Sequence, residues 1–248
     1  MQMTLNGRLS RPAMTGVAVL SLLWLAGCAA TQHAKEVERT GFLGDYSMLR
    51  KGETKSFGED PEALLVYRNP KADWKKYTKI ILDPVTLWVS GKDSQLKGVP
   101  AEERHRLGNL LWFKLNEYLR KDYEMTDQPG PDVMRIQAAL TEAGQSDVVL
   151  DTITSIIPQT RMLTGAKGLA TGVSGFTGSA SAEMKITDTA TGELLAAAAD
   201  RRGGTKSLSG ATESWHDVEE AFRFWAEKVR WRLCQNRAGG NTCVEPKP

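Results

Sequence analysis

A chain of 248 residues with 32 basic against 30 acidic side chains has no excess of positive charge and no Lys/Arg stripe of the kind that nucleic-acid binding requires. The length suits one domain with a sizeable core, without an internal repeat. After the first apolar stretch, no run long enough to cross a bilayer follows.

That first run lies at the start. Arg8 and Arg11 precede an apolar stretch from Met14 to Ala26, which is too short to span a membrane, a task that takes about 20 residues. This is the layout of an export signal. It closes on Leu25-Ala26-Gly27-Cys28, which reads as a lipobox: residues 1–27 are removed, and the thiol of Cys28 is acylated, palmitate included, as the first residue of the mature protein. The alternative is an ordinary signal peptide followed by an incidental cysteine. Ala29, where an aspartate would favour retention at the inner membrane, points to the periplasmic face of the outer membrane. The leader holds two of the 32 basic residues and none of the 30 acids, so the mature protein is charge-balanced.

Residues 28–40 are polar and aperiodic and are expected to be a flexible tether, with 41–248 a single periplasmic domain. Gly41-Phe42-Leu43-Gly44-Asp45-Tyr46-Ser47 is an apolar-aromatic cluster with glycines where the backbone must turn. Leu64-Leu65-Val66-Tyr67 is a short predicted strand ending at Asn69-Pro70. Residues 77–89 are rich in β-branched and aromatic types and form a predicted strand with a bend at Pro84. Pro100 opens a helix in which Leu107, Leu111, Leu115 and Leu119 share one face; it is predicted to run to about Tyr123. Met134, Ile136, Ala138 and Leu140 then alternate with polar residues as a half-buried strand.

Residues 147–162 fit either a strand or a buried helix. The glycine-rich segment 165–178 reads either as a loop on a sheet edge or as a close-packing, membrane-apposed segment. The plainest β signal follows, with Ala180, Ala182, Met184 and Ile186 on one face and Ser181, Glu183, Lys185 and Thr187 on the other. A turn at Asp188-Thr189-Ala190-Thr191-Gly192 leads into an alanine-rich returning strand, whose inner face leaves room for a bulky partner. That partner is the helix containing Trp215, Val218, Phe222, Trp225, Val229 and Leu233, opened by a capping box at Ser214–Asp217. The expected fold is therefore α/β of the α+β type, a small, mostly antiparallel sheet packed by two amphipathic helices.

Cys234 and Cys243 are expected to pair as a disulfide in an oxidising compartment. A metal site at these cysteines lacks further ligands at suitable spacing. Catalytic patterns are weak. Gly172-Val173-Ser174-Gly175-Phe176 breaks the nucleophile-elbow pattern at its last position. His216 stands beside Asp217 at a helix start, where capping is the simpler role, and His33 lies in the tether. The acidic pairs Glu59-Asp60, Glu102-Glu103 and Glu219-Glu220 are sequence neighbours in polar surroundings. No catalytic, cofactor or metal residue is assigned.

The motifs at residues 41–47, Tyr77 to Val85 with Asp83-Pro84-Val85, Thr187-Asp188 to Gly192-Glu193-Leu194, and Trp215 to Leu233 together resemble a bacterial lipoprotein family, the domain of unknown function 3313. The resemblance covers nearly all of the mature chain and implies lipoprotein status and fold, with no active-site residues to transfer. The expectation is a non-enzymatic, lipid-anchored envelope module, held to the membrane through Cys28, that binds an envelope protein or polymer, uses no cofactor and binds no nucleic acid. Two alternatives stand beside it: an enzyme on cell-wall or lipid substrates using His105, Asp45 and Tyr46, and a subunit of a membrane-apposed oligomer built through residues 165–178.

Overall fold

The computed structural model describes residues 31–53, 63–89, 95–144, 178–204, 215–238 and 243–246. Cys28, Ser174 and all of the glycine-rich segment but Gly178 lie outside them, as do Glu59, Asp60 and residues 147–162.

Alternation of apolar and polar residues builds the centre of the molecule. Among the described residues, the strands are β1 (Thr31–His33), β2 (Arg50–Lys51), β3 (Leu65–Arg68), β4 (Lys79–Leu82), β5 (Thr86–Leu87), β6 (Glu124–Met125), β7 (Val133–Gly144), β8 (Ser179–Asp188) and β9 (Leu194–Gly204), and the α-helices are α1 (Ala101–Leu119) and α2 (His216–Ala238). The strands form one open, nine-stranded sheet in the order β2-β3-β9-β8-β7-β4-β6, with β1 also on β9 and β5 also on β7. Pairing is antiparallel from β2 across to β7, and parallel where β4, β5 and β6 join. This is the predicted α+β architecture, with a broader sheet than its sequence pattern suggests.

Both helices cover one face. On α1, Leu107, Leu111, Leu115 and Leu119 are each at most 1% exposed; burying such a side chain contributes about 1.5–3 kcal/mol. The helix stops at Leu119, short of the predicted Tyr123, because the next residues turn and Glu124–Met125 pair with β4. On α2, Val218, Phe222, Trp225 and Leu233 are buried against the sheet and α1. The helices are clamped together where Arg230 grips both carboxylate oxygens of Asp122 at 2.7 and 3.1 Å and the Tyr118 hydroxyl donates to Glu227 at 2.7 Å. Burial and that acceptor push the Tyr118 pKa up to about 12.

The opposite face departs from its expected solvent exposure. Glu183, on the polar row of β8, is 0% exposed because the chain around residues 40–47 folds over it. The Tyr46 hydroxyl donates to Glu183 at 2.5 Å and the Thr40 N–H donates to the same carboxylate at 3.0 Å. The Tyr46 oxygen in turn accepts the Gly41 N–H at 2.9 Å, and Gly41 and Gly44 turn the loop with φ of +95° and +79°, a region glycine enters without steric cost. Phe42 meets Trp88 edge-to-face and lies under the Lys185 ammonium.

Thr31–His33, inside the stretch expected to be a tether, form β1 and pair with Arg202–Gly204. Strand addition through backbone hydrogen bonds needs no apolar alternation, so its sequence shows no strand pattern.

Candidate functional site

The inner face of the sheet can be read as cross-strand rows. In one, Ile136, Ile186, Ala196 and Arg68 stand side by side; in the next, Ala138, Met184, Ala198, Val66 and Arg50. Side chains shrink to alanine on β9, beneath α2. A helix rests on the tallest side chains below it, so the short ones leave a gap. The result is a cavity of about 170 Å³ between α2 and strands β3, β8 and β9. That is comparable with an engineered apolar cavity of roughly 150 Å³ that stays dry and accepts benzene.

The apolar walls include Ala182, Met184, Ala196, Ala198, Val229 and Trp225, and two of the polar groups, Arg50 and Arg68, lie at the ends of the rows. Arg50 and Arg68, both exposed, stand at the sheet edge, with Lys228 and Arg232 on α2. Across the mouth, Arg68 Nη1 donates to Asn236 Oδ1 at 3.1 Å. The carboxylate at the wall is Asp200. It accepts the Trp225 indole N–H at 2.8 Å and the Leu64 N–H at 3.2 Å, and its Oδ1 lies 3.1 Å from His33 Nδ1. Through its two hydrogen bonds this carboxylate fastens the entry to β3 and α2 onto β9, with His33 of β1 close by. His33 carried no signal for this placement, because its partner lies far along the chain.

Lys228 is buried beside the Trp231 ring and pairs with Glu245 at 2.7 Å. Glu245 is held there because Cys243 is disulfide-bonded to Cys234 on α2, with Cα atoms 5.9 Å apart. The pairing expected for these cysteines is present.

The side chains nominated for an enzyme are not drawn together. His105 is exposed on α1, on the helix face of the sheet, whereas Tyr46 and Asp45 belong to the loop on the other face. Asp45 accepts from the N–H and hydroxyl of Ser47, and burial together with the bond to Glu183 raises the Tyr46 pKa. Asp217 accepts the Gly178 N–H at 2.9 Å, tying α2 to the start of β8. Among the described residues, no group of three or more His, Cys, Asp or Glu is placed to hold a metal ion.

A second polar centre lies at the β8–β9 turn. Asp188, 1% exposed, accepts from Lys76 Nζ at 2.6 Å, the Tyr77 hydroxyl at 2.7 Å and the N–H groups of Ala190 and Thr191 at 2.8 and 2.9 Å. Burial alone would raise its pKa, but these donors outweigh burial and hold the carboxyl well below the ordinary range. Burial and the same carboxylate push Tyr77 up to about 12.

Sheet, helices and cavity define a two-layer α+β domain with an open, mixed sheet. Residues 38–229 match the model of the family "Protein of unknown function (DUF3313)", and the chain belongs to that family. No curated protein sequence matches it significantly. Among solved structures, the chain is similar to a PelC dodecamer from Paraburkholderia phytofirmans, at 9% identity and a TM-score of 0.36 over 69% of this chain and 96% of that one. It is also similar to a candidate lipoprotein from Caulobacter crescentus CB15, at 12% identity and a TM-score of 0.34 over 67% and 94%. Likeness at this level transfers no residue and no assembly.

Proposed function

We propose that the protein is a non-enzymatic, lipid-anchored module of the bacterial envelope, held at the periplasmic face of the outer membrane through Cys28, and that the cavity beneath α2 is its binding site. The observation that supports the reading is a division of labour. Asp188, Glu183, Asp200 and Asp217 each accept bonds that fasten one segment of chain to another, while the unfilled volume is walled by apolar side chains. A concave, mostly apolar site with a few fixed polar groups is the usual form of a ligand pocket, and fixed, fully engaged carboxylates suit fastening better than proton transfer.

The test has two parts. Cells fed a palmitate analogue should label the wild-type protein and leave Cys28→Ser unlabelled. Purified full-length protein incubated with phospholipid and with peptidoglycan fragments should return both unchanged, as read by mass spectrometry of the products. Turnover that disappears in His33→Ala would overturn the non-enzymatic reading, because His33 and Asp200 are the histidine–carboxylate contact nearest the cavity.

A further inference from the structure

The two rows that run under α2 share a polarity. Each begins with aliphatic side chains at β7 and β8, passes the alanines of β9, and ends at the sheet edge in a guanidinium, Arg68 in one row and Arg50 in the other. The helix contributes Arg232 near the same opening and Val229 and Leu233 to the wall. Among the described residues, four cations and one carboxylate line the cavity, and that carboxylate, Asp200, already accepts from Trp225 and Leu64.

A slot that is apolar along its length and cationic at one end matches one kind of molecule, a single aliphatic chain ending in an anion. From this arrangement, and resting on the reading of the cavity as a binding site, we infer that the protein binds a single-chain amphiphile with a phosphate or carboxylate headgroup. The chain lies between α2 and Ala182, Ala196 and Ala198. The headgroup sits at the sheet edge against Arg50 and Arg68, where guanidinium forks suit planar, multi-oxygen anions better than an ammonium does. Lys228 contributes less to the headgroup because it is already neutralised by Glu245 at 2.7 Å. At the surface Arg50 pairs with Glu53 and Arg68 bonds Asn236; an arriving anion competes with these contacts, and an exposed ion pair such as Arg50–Glu53 is worth about 0–1 kcal/mol.

Titration calorimetry on the full-length lipidated protein held in amphipol tests this with three probes: octyl phosphate below its micelle concentration, octanol and inorganic phosphate. Octyl phosphate is expected to bind one per chain and at least about tenfold more tightly than octanol, the ratio that one charge-assisted contact supplies. Inorganic phosphate is expected to bind far more weakly, lacking the chain. The double variant Arg50→Gln, Arg68→Gln, whose changes lie at exposed positions, should bring octyl phosphate down to the affinity of octanol. Ala198→Phe, which fills the slot, should abolish both. Equal affinity for octyl phosphate and octanol, or no loss in the double arginine variant, overturns the headgroup assignment while leaving the cavity as a chain site. Inorganic phosphate binding as tightly as octyl phosphate overturns the amphiphile. No binding of either chain-bearing probe removes the cavity reading with it. Should Ala198→Phe fail to fold, the comparison of probes and the arginine variant decide the matter.

Discussion

Removing the Asp188 carboxylate tests whether the hairpin turn is a structural keystone. In Asp188→Ala the hydroxyl of Tyr77, a residue 1% exposed, loses its acceptor, and a buried polar group left unpaired costs about 1–3 kcal/mol. The N–H groups of Ala190 and Thr191 lose their bonds to Asp188 as well, adding roughly 1 kcal/mol at a site that water reaches. The Lys76 ammonium, whose side chain is 42% exposed, returns to solvent at little cost. The expected total is about 3 kcal/mol, or about 6–12 °C in Tm for a domain of this size. Adding Tyr77→Phe should recover about 1 kcal/mol, since it deletes the stranded hydroxyl. A pH signature follows. The folded carboxyl titrates below its unfolded value of about 3.9, so its contribution is complete above that pH and drains away as pH falls towards the folded value. Urea unfolding followed by intrinsic fluorescence should therefore show wild type losing more stability between neutral and acid pH than Asp188→Asn. A cost for Asp188→Ala below about 0.5 kcal/mol, the usual effect of an unremarkable surface change, or equal acid slopes in wild type and Asp188→Asn, would refute the reasoning.

Other perturbations probe the remaining fastenings. Tyr46→Phe removes one of two donors to a fully buried Glu183, leaving the Thr40 N–H, and should cost about 2 kcal/mol while speeding protease cleavage near residues 40–47, read by timed digestion. Gly52→Ala would drive its Cβ into the backbone carbonyl of Ala63, next to the hydrogen bond from the Gly52 N–H to Leu64 O at 3.1 Å; a loss of about 1–3 kcal/mol in chemical denaturation is expected. Reduction of Cys234–Cys243 should lower stability by about 2.5 kcal/mol on the chain-entropy account, measured with and without dithiothreitol. Cys28→Ser should move the protein out of the membrane fraction with its circular dichroism unchanged, as fractionation and spectra of the recovered protein would show.

The elements that were legible are those whose signal is local. The leucines of α1 recur at helical spacing and are buried as a set. The alternation at residues 180–186 and the Asp188–Gly192 turn define a hairpin, and Cys234 and Cys243 are close enough in sequence to pair. What the pattern missed depends on partners far along the chain. Glu183 reads as a solvent-facing residue because nothing near it shows that Tyr46, 137 positions away, will cover it. The strand at Thr31–His33 is specified by the free edge of β9 rather than by its own side chains. The alanines at 196–199 did signal room for a partner, and α2 lies over them. That the partner leaves the room partly empty depends on how high the helix rides on neighbouring side chains, a distance that no periodicity encodes.

The division between the two faces also orders the candidate ligand. The loop at residues 41–47 and the turn at Asp188 hold the sheet's outer face and one end of its hairpin, so these two family motifs stabilise the scaffold, whereas the motif from Trp215 to Leu233 gives Trp225, Val229 and Leu233 to the cavity wall. The sheet side of that wall is built largely from alanine and methionine, residues whose role there is set by size, so it leaves little motif behind. Polarity within the slot comes instead from its ends. Towards the C-terminus of α2, the disulfide pins the segment that brings Glu245 onto Lys228, which cancels the buried ammonium that lines the slot. At the sheet edge, Arg50 and Arg68 keep their charge near water, where an anionic group is desolvated least. An amphiphile entering this site therefore lowers its energy in a single orientation, chain inward beneath α2 and charge outward. Breaking the disulfide should weaken that preference by exposing a competing ammonium, so octyl phosphate would gain a second anchoring point on reduction, whereas octanol would not.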